Sequence, residues 1–373
     1  MKLKKIILHN LAIFLCWIIG QQISAGSYLD TSRLSILFAG DIMGHDSQIN
    51  AAFYNECGSY DYSFCFSYLK PLIQKADIAI GNLEVTLAGE PYKGYPQFSS
   101  PNELATALKE TGFDILINAN NHALDRGKEG LERTIEVTGS EGLIITGTFE
   151  SGEAREIRYP LIVEKNNILL AILNYTYGTN GLISSPPNIV NYIDTSMIRQ
   201  DIQKVRKVNP DFIIACMHWG NEYERVENET QQALARFLIK EGVDAIIGSH
   251  PHVVQPVEMS YNGVDPTDSI LVVYSLGNFI SNQRERYRDG GIIFSLELTK
   301  TEKTIITDYS YLPVWVQKPE INKITRFRLI PANLPDEKSE LLKLTSEEME
   351  KLEEFYDDTR TNLSNIKEIP FGF

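Results

Sequence analysis

Beyond about residue 30 the chain alternates between two kinds of apolar patterning. Short runs rich in β-branched residues, bounded by Gly, Asn, Asp or Pro, give way to longer stretches with apolar residues three or four apart and charges between them. The runs Leu34–Ala39, Ile78–Ile80, Asp114–Asn118, Ile168–Leu173, Phe212–Met217, Ala245–Ile247 and Ile270–Tyr274 predict strands buried on both faces. The stretches 102–111, 128–141, 195–208 and 228–241 predict amphipathic helices. Strands and helices in that alternation are the pattern of an α/β domain. After Tyr274 the helical spacing thins out. Gly291–Leu298 and Ile305–Trp315 predict later, antiparallel strands, and Ser346–Leu363 predicts a Glu-rich helix packed by one face. With no internal repeat and no low-complexity linker, the economical division is one catalytic domain over 31–320 and a C-terminal extension over 321–373 that carries this helix.

The first thirty residues are of another kind. Lys2, Lys4 and Lys5 make a basic start, Ile6–Gly20 is mostly apolar, and Ser24-Ala25-Gly26 supplies small residues, which together read as a secretory signal over 1–25 cut near Ala25. The apolar run falls short of the roughly 20 residues that span a bilayer, which favours cleavage over an uncleaved anchor. The expectation is an exported protein, periplasmic or at the cell surface, or membrane-associated if the segment stays attached. Without this segment three cysteines remain. Cys57 and Cys65 are close enough in sequence to pair across a short loop in an oxidising compartment, the alternative being free thiols; Cys216 lies in an apolar run and reads as a small buried hydrophobe.

Composition sets limits. At 43% hydrophobic and 23% charged, the 373-residue chain can bury a sizeable core. Its net charge of −14 leaves no basic stripe to neutralise a phosphate backbone, so nucleic acid is excluded as a partner. The same field tolerates cations, and an anionic substrate must be drawn in by local charges, metal ions above all.

The metal-capable residues fall on the turns that leave the carboxyl ends of the predicted strands, where open α/β sheets build their sites. Asp41 follows the first strand, Glu84 the second, Asn121 and His122 the third, His218 the fifth, and His250 and His252 the sixth. Of six histidines, one lies in the signal segment and the other five, His45 included, lie in these turns. Imidazole, carboxylate and carboxamide oxygen without cysteine suit Mn, Zn or Fe at a mixed site and exclude a zinc finger. Two metals bridged by a carboxylate need about seven or eight protein ligands, close to what this set offers. Taken singly, Asp41 and Asn121 also read as helix caps or turn formers, Glu84 as a solvated carboxylate and His122 as a structural histidine. Asp125 reads as a cap or turn residue. His45 stands evenly between ligand and a surface histidine oriented by Asp46, whereas two imidazoles one residue apart in His250-Pro251-His252 suit chelation.

In order, Gly40-Asp41, Gly81-Asn82-Leu83-Glu84, Asn118 to Gly127, His218-Trp219-Gly220 with Glu222-Tyr223, Gly248 to Gln255 and Tyr274 to Phe279 resemble the motif series of the CapA (poly-γ-glutamate capsule synthesis) family, over about residues 34 to 295. The resemblance implies a fold like the calcineurin-like metallophosphoesterases, a four-layer αββα sandwich. It makes Glu84 a bridging carboxylate, puts Asn121, His218 and His250 on one metal and Asp41 and His252 on the other, and makes His122 the catalytic acid. Two departures stand out: Ile42-Met43 occupy the place where the phosphoesterase motif has a histidine, leaving His45 four residues after Asp41, and Glu84 stands where an Asp is usual.

Two functions follow. One is an exported metal-dependent hydrolase of the phosphoesterase kind, acting on an anionic polymer or phosphoester in capsule or envelope polymer biosynthesis. The other is a non-catalytic accessory of capsule polymer synthesis or export that uses its metal site for binding, with capsule-synthesis membrane proteins as partners. Tyr175, Tyr177, Tyr223 and Asn278 are candidates to line the cleft, with aromatic core or rim packing as the alternative for the tyrosines.

Overall fold

The computed structural model describes residues 31–54, 56–261, 269–335 and 342–372; the expected signal segment, 1–25, lies outside them. Ser32–Phe373 clusters as one compact unit. Strand β1 (Ser32–Ile42) pairs in parallel with β2 (Ile78–Leu83), which continues through β3 (Ile115–Ile117) to β4 (Ile144–Thr146), all parallel. Helices α1 (Asp46–Ala52), α2 (Glu103–Thr111) and α3 (Gly127–Ser140) lie between these strands in sequence.

The chain then builds a second sheet. Hairpin β5 (Leu161–Lys165) and β6 (Ile168–Thr176) leads to α4 (Thr195–Val208), β7 (Phe212–His218), α5 (Glu229–Lys240), β8 (Ala245–Ser249), β9 (Val257–Tyr261) and β10 (Ser269–Val273). The strand order is β9-β10-β8-β7-β6-β5, parallel from β10 to β6 with an antiparallel strand on each edge. From there it returns to the first sheet. On the edge of β1 away from β2, strand β11 (Asn278–Ile280) pairs with the end of β1 in parallel, and β12 (Gly290–Lys300), β13 (Thr304–Gln317) and β14 (Arg328–Pro331) follow antiparallel; β15 (Lys367–Glu368) closes on β13. Helix α6 (Ser346–Asn362), capped by Thr345 and Glu348, buries Leu352, Phe355 and Thr359 and leaves its acidic face to solvent. The stretch expected as a C-terminal extension thus contributes α6, β14 and β15 to the same unit.

The layers follow from strand parity. Leu34, Ile36 and Phe38 of β1 share a core with Ile168, Leu170 and Ile172 of β6 and Phe212, Ile214 and Cys216 of β7. Those residues are the filling between two sheets. On the opposite face Leu37 and Ala39 pack with Leu104 and Leu108 of α2. Beyond the second sheet, Ala171, Leu173, Ala215 and Met217 pack with Ile198, Ile202 and Val205 of α4 and Leu238 of α5. The central strands are therefore covered on both faces, each fully buried Ile or Leu contributing about 1.5–3 kcal/mol, and the result is the expected αββα sandwich. Helix ends are set locally. Asp194 accepts from the backbone N–H of Ser196 and Met197, both at 2.8 Å, to start α4, and Asn228 with Gln231 forms a capping box on α5.

No disulfide joins the described cysteines, and of the two readings for Cys57 and Cys65 the structure shows free thiols. Cys57 is exposed in a turn, 2.8 Å from the Ser59 hydroxyl, while Cys65 faces the core from a short helix, its thiol pushed up to about 12 by burial. Among the described residues no helix is long and apolar enough to cross a membrane.

Candidate metal centre

The carboxyl ends of β1, β2 and β3 from one sheet meet those of β7 and β8 from the other, and local irregularities aim their side chains inward. In β1 the pairing with β2 skips from Ala39–Gly81 to Asp41–Asn82, a bulge at Gly40. A Cβ on Gly40 would lie 2.0 Å from the Gly277 carbonyl oxygen, so only glycine permits that turn. After β8, His250 and His252 take φ values of 99° and 58°, backbone that costs a non-glycine residue about 1–3 kcal/mol and that turns two imidazoles one residue apart into the same space.

Glu84 is the focus. Its Oε2 accepts from Asn82 Nδ2 at 3.1 Å, but Oε1, wholly buried, has no hydrogen-bond partner. That oxygen lies 3.6 Å from His218 Nε2 and 3.7 Å from His252 Nε2. The other ring nitrogens are engaged: His252 Nδ1 is 2.9 Å from Asp41 Oδ2 and 3.1 Å from Asn278 Oδ1, and His218 Nδ1 is 2.9 Å from the Ser249 hydroxyl. Nδ1 of His252 thus faces two acceptors, and its Nε2 points toward Glu84. His218 Nε2 also faces the Asn121 Oδ1 acceptor at 3.0 Å. His250 Nδ1 is likewise buried without a partner.

A buried carboxylate oxygen and a buried imidazole nitrogen without partners, among other carboxylate and imidazole groups, describe a cation site. The candidate ligand atoms form two overlapping trios, Glu84 with His250 and His252, and Asp41 and Glu84 with His218, each trio within 4.8 Å.

Electrostatics agree with that reading. Burial, and then the Asp41 charge, push Glu84 well above the usual carboxylate range. Burial works against ionised Asp41 too, but the hydrogen bond and charge of His252, with Asn82, outweigh it and hold its carboxyl low. His218 is driven well below the usual imidazole value by burial and then by His250, His252 and His122, and His250 falls to about 3 by burial and then by His252. Both imidazoles are therefore neutral, as ligands must be. The residues fit divalent metal binding.

A prediction follows from Glu84. Because its native pKa is raised, the protonated form is favoured in the fold, and its contribution to stability is present at low pH and lost as pH rises through the native value. A bound cation replaces that proton. The thermal shift produced by saturating Mn²⁺ or Zn²⁺ should grow between about pH 5 and about pH 8, with proton release visible as buffer-dependent heat in calorimetry. A shift that shrinks over that range would contradict the site.

His122 stands beside the trios without belonging to them. Its Nδ1 is 2.7 Å from Asp125 Oδ2, which also accepts the Phe98 N–H at 2.7 Å, and its ring meets Phe98 edge-on at 4.7 Å. Asp125, expected as a cap or turn former, thus orients an imidazole. Asn82 was not singled out either: its amide donates to Asp41 at 2.8 Å and to Glu84, and its oxygen accepts from Asn120 at 3.2 Å, which ties three turns together. The signal is present in Gly81-Asn82-Leu83-Glu84, where Asn82 stands two residues before Glu84 at the end of β2.

His45 is placed differently from the other histidines. Buried Ile42 and Met43 carry the chain past the centre, so His45 caps α1, with Nδ1 3.0 Å from Gln48 Oε1 and accepting the Asn282 N–H at 3.2 Å. It belongs to neither trio. Tyr175 does not line the cleft: it is fully buried and donates to Asp201 at 2.8 Å. Tyr177 and Tyr223 do sit at the rim, the first 4.5 Å from the His250 ring and the second 6.1 Å from that of His252. Burial and the Glu222 charge push the Tyr223 phenol up to about 12, so it stays neutral. Asn278 holds His252 from behind.

Known proteins are similar to this chain over most of its length. "PGA biosynthesis protein CapA" of Bacillus subtilis (strain 168) is 30% identical over 278 residues, 70% of this chain and 70% of that protein. "Capsule biosynthesis protein CapA" of Bacillus anthracis is 27% identical over 288 residues, 73% of this chain and 66% of the relative. Among solved structures, the calcineurin-like phosphoesterase YfkN from Bacillus subtilis aligns over 89% of this chain and 98% of its own with a TM-score of 0.43 and 16% identity. The model of the family described as bacterial capsule synthesis protein PGA_cap matches residues 35–283, a span that takes in every side chain of the centre from Asp41 to Asn278, and the chain belongs to that family.

Proposed function

We propose that this protein is an exported metal-dependent hydrolase of the phosphoesterase kind, working at the cell envelope on an anionic polymer or phosphoester in capsule biosynthesis. The names of its relatives support the pathway. The chemistry rests on one observation, the position of His122: held by Asp125 yet outside both ligand trios, it is free to exchange a proton with a substrate. A pure binding site has no use for such a group.

Asp41, Glu84, Asn121, His218, His250 and His252 would hold two divalent ions, of which Mn, Zn and Fe suit the donor set. The ions would supply Lewis-acid charge and an activated water. His122, protonated on Nε2, donates to the departing oxygen, while Asp125 fixes the ring by Nδ1 and balances the imidazolium charge. Asn82 keeps Asp41 and Glu84 in place as charge shifts. Capsule-synthesis membrane proteins would pass the polymer to this site. The accessory reading, in which the centre only binds polymer, draws on the departure at Ile42-Met43 that leaves His45 outside the trios.

The deciding experiment is elemental analysis of protein lacking residues 1–25, paired with hydrolysis of bis(4-nitrophenyl) phosphate in Mn²⁺ or Zn²⁺. Two metals per chain with metal-dependent turnover are expected. Bound metal with no turnover on this or any envelope phosphoester would hand the site to the accessory role.

A further inference from the structure

The loop between β11 and β12 carries Arg284, Arg286 and Arg288, and their partners differ. Arg284 donates to the Val316 carbonyl at 2.7 Å and lies over Trp315. Arg286 pairs with Asp358 at 2.8 and 2.9 Å and with Glu354, so it fastens the loop to α6. Among the described residues the carboxylate paired with Arg288 is exposed Glu285, at 3.7 Å.

Yet Arg288 is held firmly. Its guanidinium carbon sits 4.0 Å from the centroid of the Tyr223 ring, and that ring is itself 6.1 Å from His252. Its carbonyl accepts from Asn278 Nδ2 at 2.7 Å, and the same amide presents Oδ1 to His252. Tyr223 takes a φ of 69° and donates its N–H to the carbonyl of Pro251, between the two histidines, at 2.8 Å. Strained backbone and two tethers thus place one cation beside the metal centre. Its place over the ring holds the guanidinium beside the centre, and an arginine held so can offer two N–H donors to an oxyanion. Around it the field is unfavourable to anions, with Glu222 adjoining Tyr223 and a net charge of −14.

We propose that Arg288, laid on Tyr223, is a substrate-positioning residue that grips a non-reacting carboxylate or phosphate of the substrate on the His252 side of the centre. This rests on the hydrolase reading for what happens next, but the grip itself is a binding event. The substrate class it implies carries anionic groups in series, one reacting and a neighbour held by Arg288.

The test is calorimetric binding of two probes, a γ-linked glutamate decamer and a glycerol phosphate oligomer, to full-length Mn²⁺-loaded protein. Arg288→Gln should weaken the preferred probe about tenfold or more, Arg288→Lys should restore part of that loss, and Arg199→Gln, at an exposed cation of α4, should leave binding unchanged. The decamer being preferred would identify a polycarboxylate, the other oligomer a polyphosphate. Unchanged affinity in Arg288→Gln, equal loss in Arg199→Gln, or no binding of either probe by the wild type would overturn the proposal. Arg288-dependent binding without turnover would instead retain this subsite and sink the hydrolase reading.

Discussion

Glu84→Gln should make the metal-free protein more stable and the metal-loaded protein less so. In the metal-free chain Glu84 is fully buried, its Oε1 has no donor, and Asp41 lies close enough to oppose a second charge. At neutral pH the native state must either keep a proton on this carboxyl or bury an uncompensated charge, and both carry a cost. A neutral amide of the same shape escapes that cost, and thermal or urea unfolding after chelation should show a gain on the order of 1–3 kcal/mol. Saturating Mn²⁺ should reverse the order. Wild type gains by binding, whereas the variant has lost the carboxylate common to both ligand trios and should bind metal about 100-fold more weakly or worse, beyond what loss of a supporting residue usually costs. A metal-free variant less stable than wild type, with metal affinity intact, would show that Glu84 is held by packing and not poised for a cation.

Much of this arrangement is legible from residue order, and the parts that are not share one cause. Apolar runs such as Leu34–Ala39 and Phe212–Met217 announce buried strands, and metal-capable residues just past them announce the edge at which a site is built. What a run cannot disclose is which neighbour each face meets: Ile36 looks to the other sheet and Leu37 to a helix, though both are simply apolar in sequence. The same holds for polar groups. Asp41 and His252 touch across 211 positions, and Asn82 shows no sign of its role until its amide is seen donating to both Asp41 and Glu84. Asp125 is the clearest case, since a carboxylate ahead of a helix is ordinarily a cap, and only the fold reveals that its oxygen is taken by His122 and Phe98. Tyr175 errs in the other direction, an amphipathic ring whose hydroxyl is satisfied inside the core by Asp201. Local spacing foretells the element; long-range pairing assigns the role.

His122→Asn should abolish turnover while leaving bound metal unchanged, and this pair of results separates chemistry from binding. The imidazole lies outside both ligand trios, so removing it leaves the cation's donors intact; a general acid contributes about 10²–10⁴-fold, and the rate of phosphodiester cleavage should fall by that order. Asp125→Asn supplies the intermediate case. An amide can keep the Phe98 N–H by its oxygen, but it no longer balances a charge on His122, and a flipped amide would present a donor where Nδ1 already carries one. Loss of about 10–100-fold, again at constant metal content, is expected. The double variant should be no worse than His122→Asn alone, because Asp125 acts only through that ring. Independent, multiplicative losses would mean that Asp125 touches the substrate itself, and metal lost from His122→Asn would return the histidine to the ligand set and leave the proton donor to be sought elsewhere.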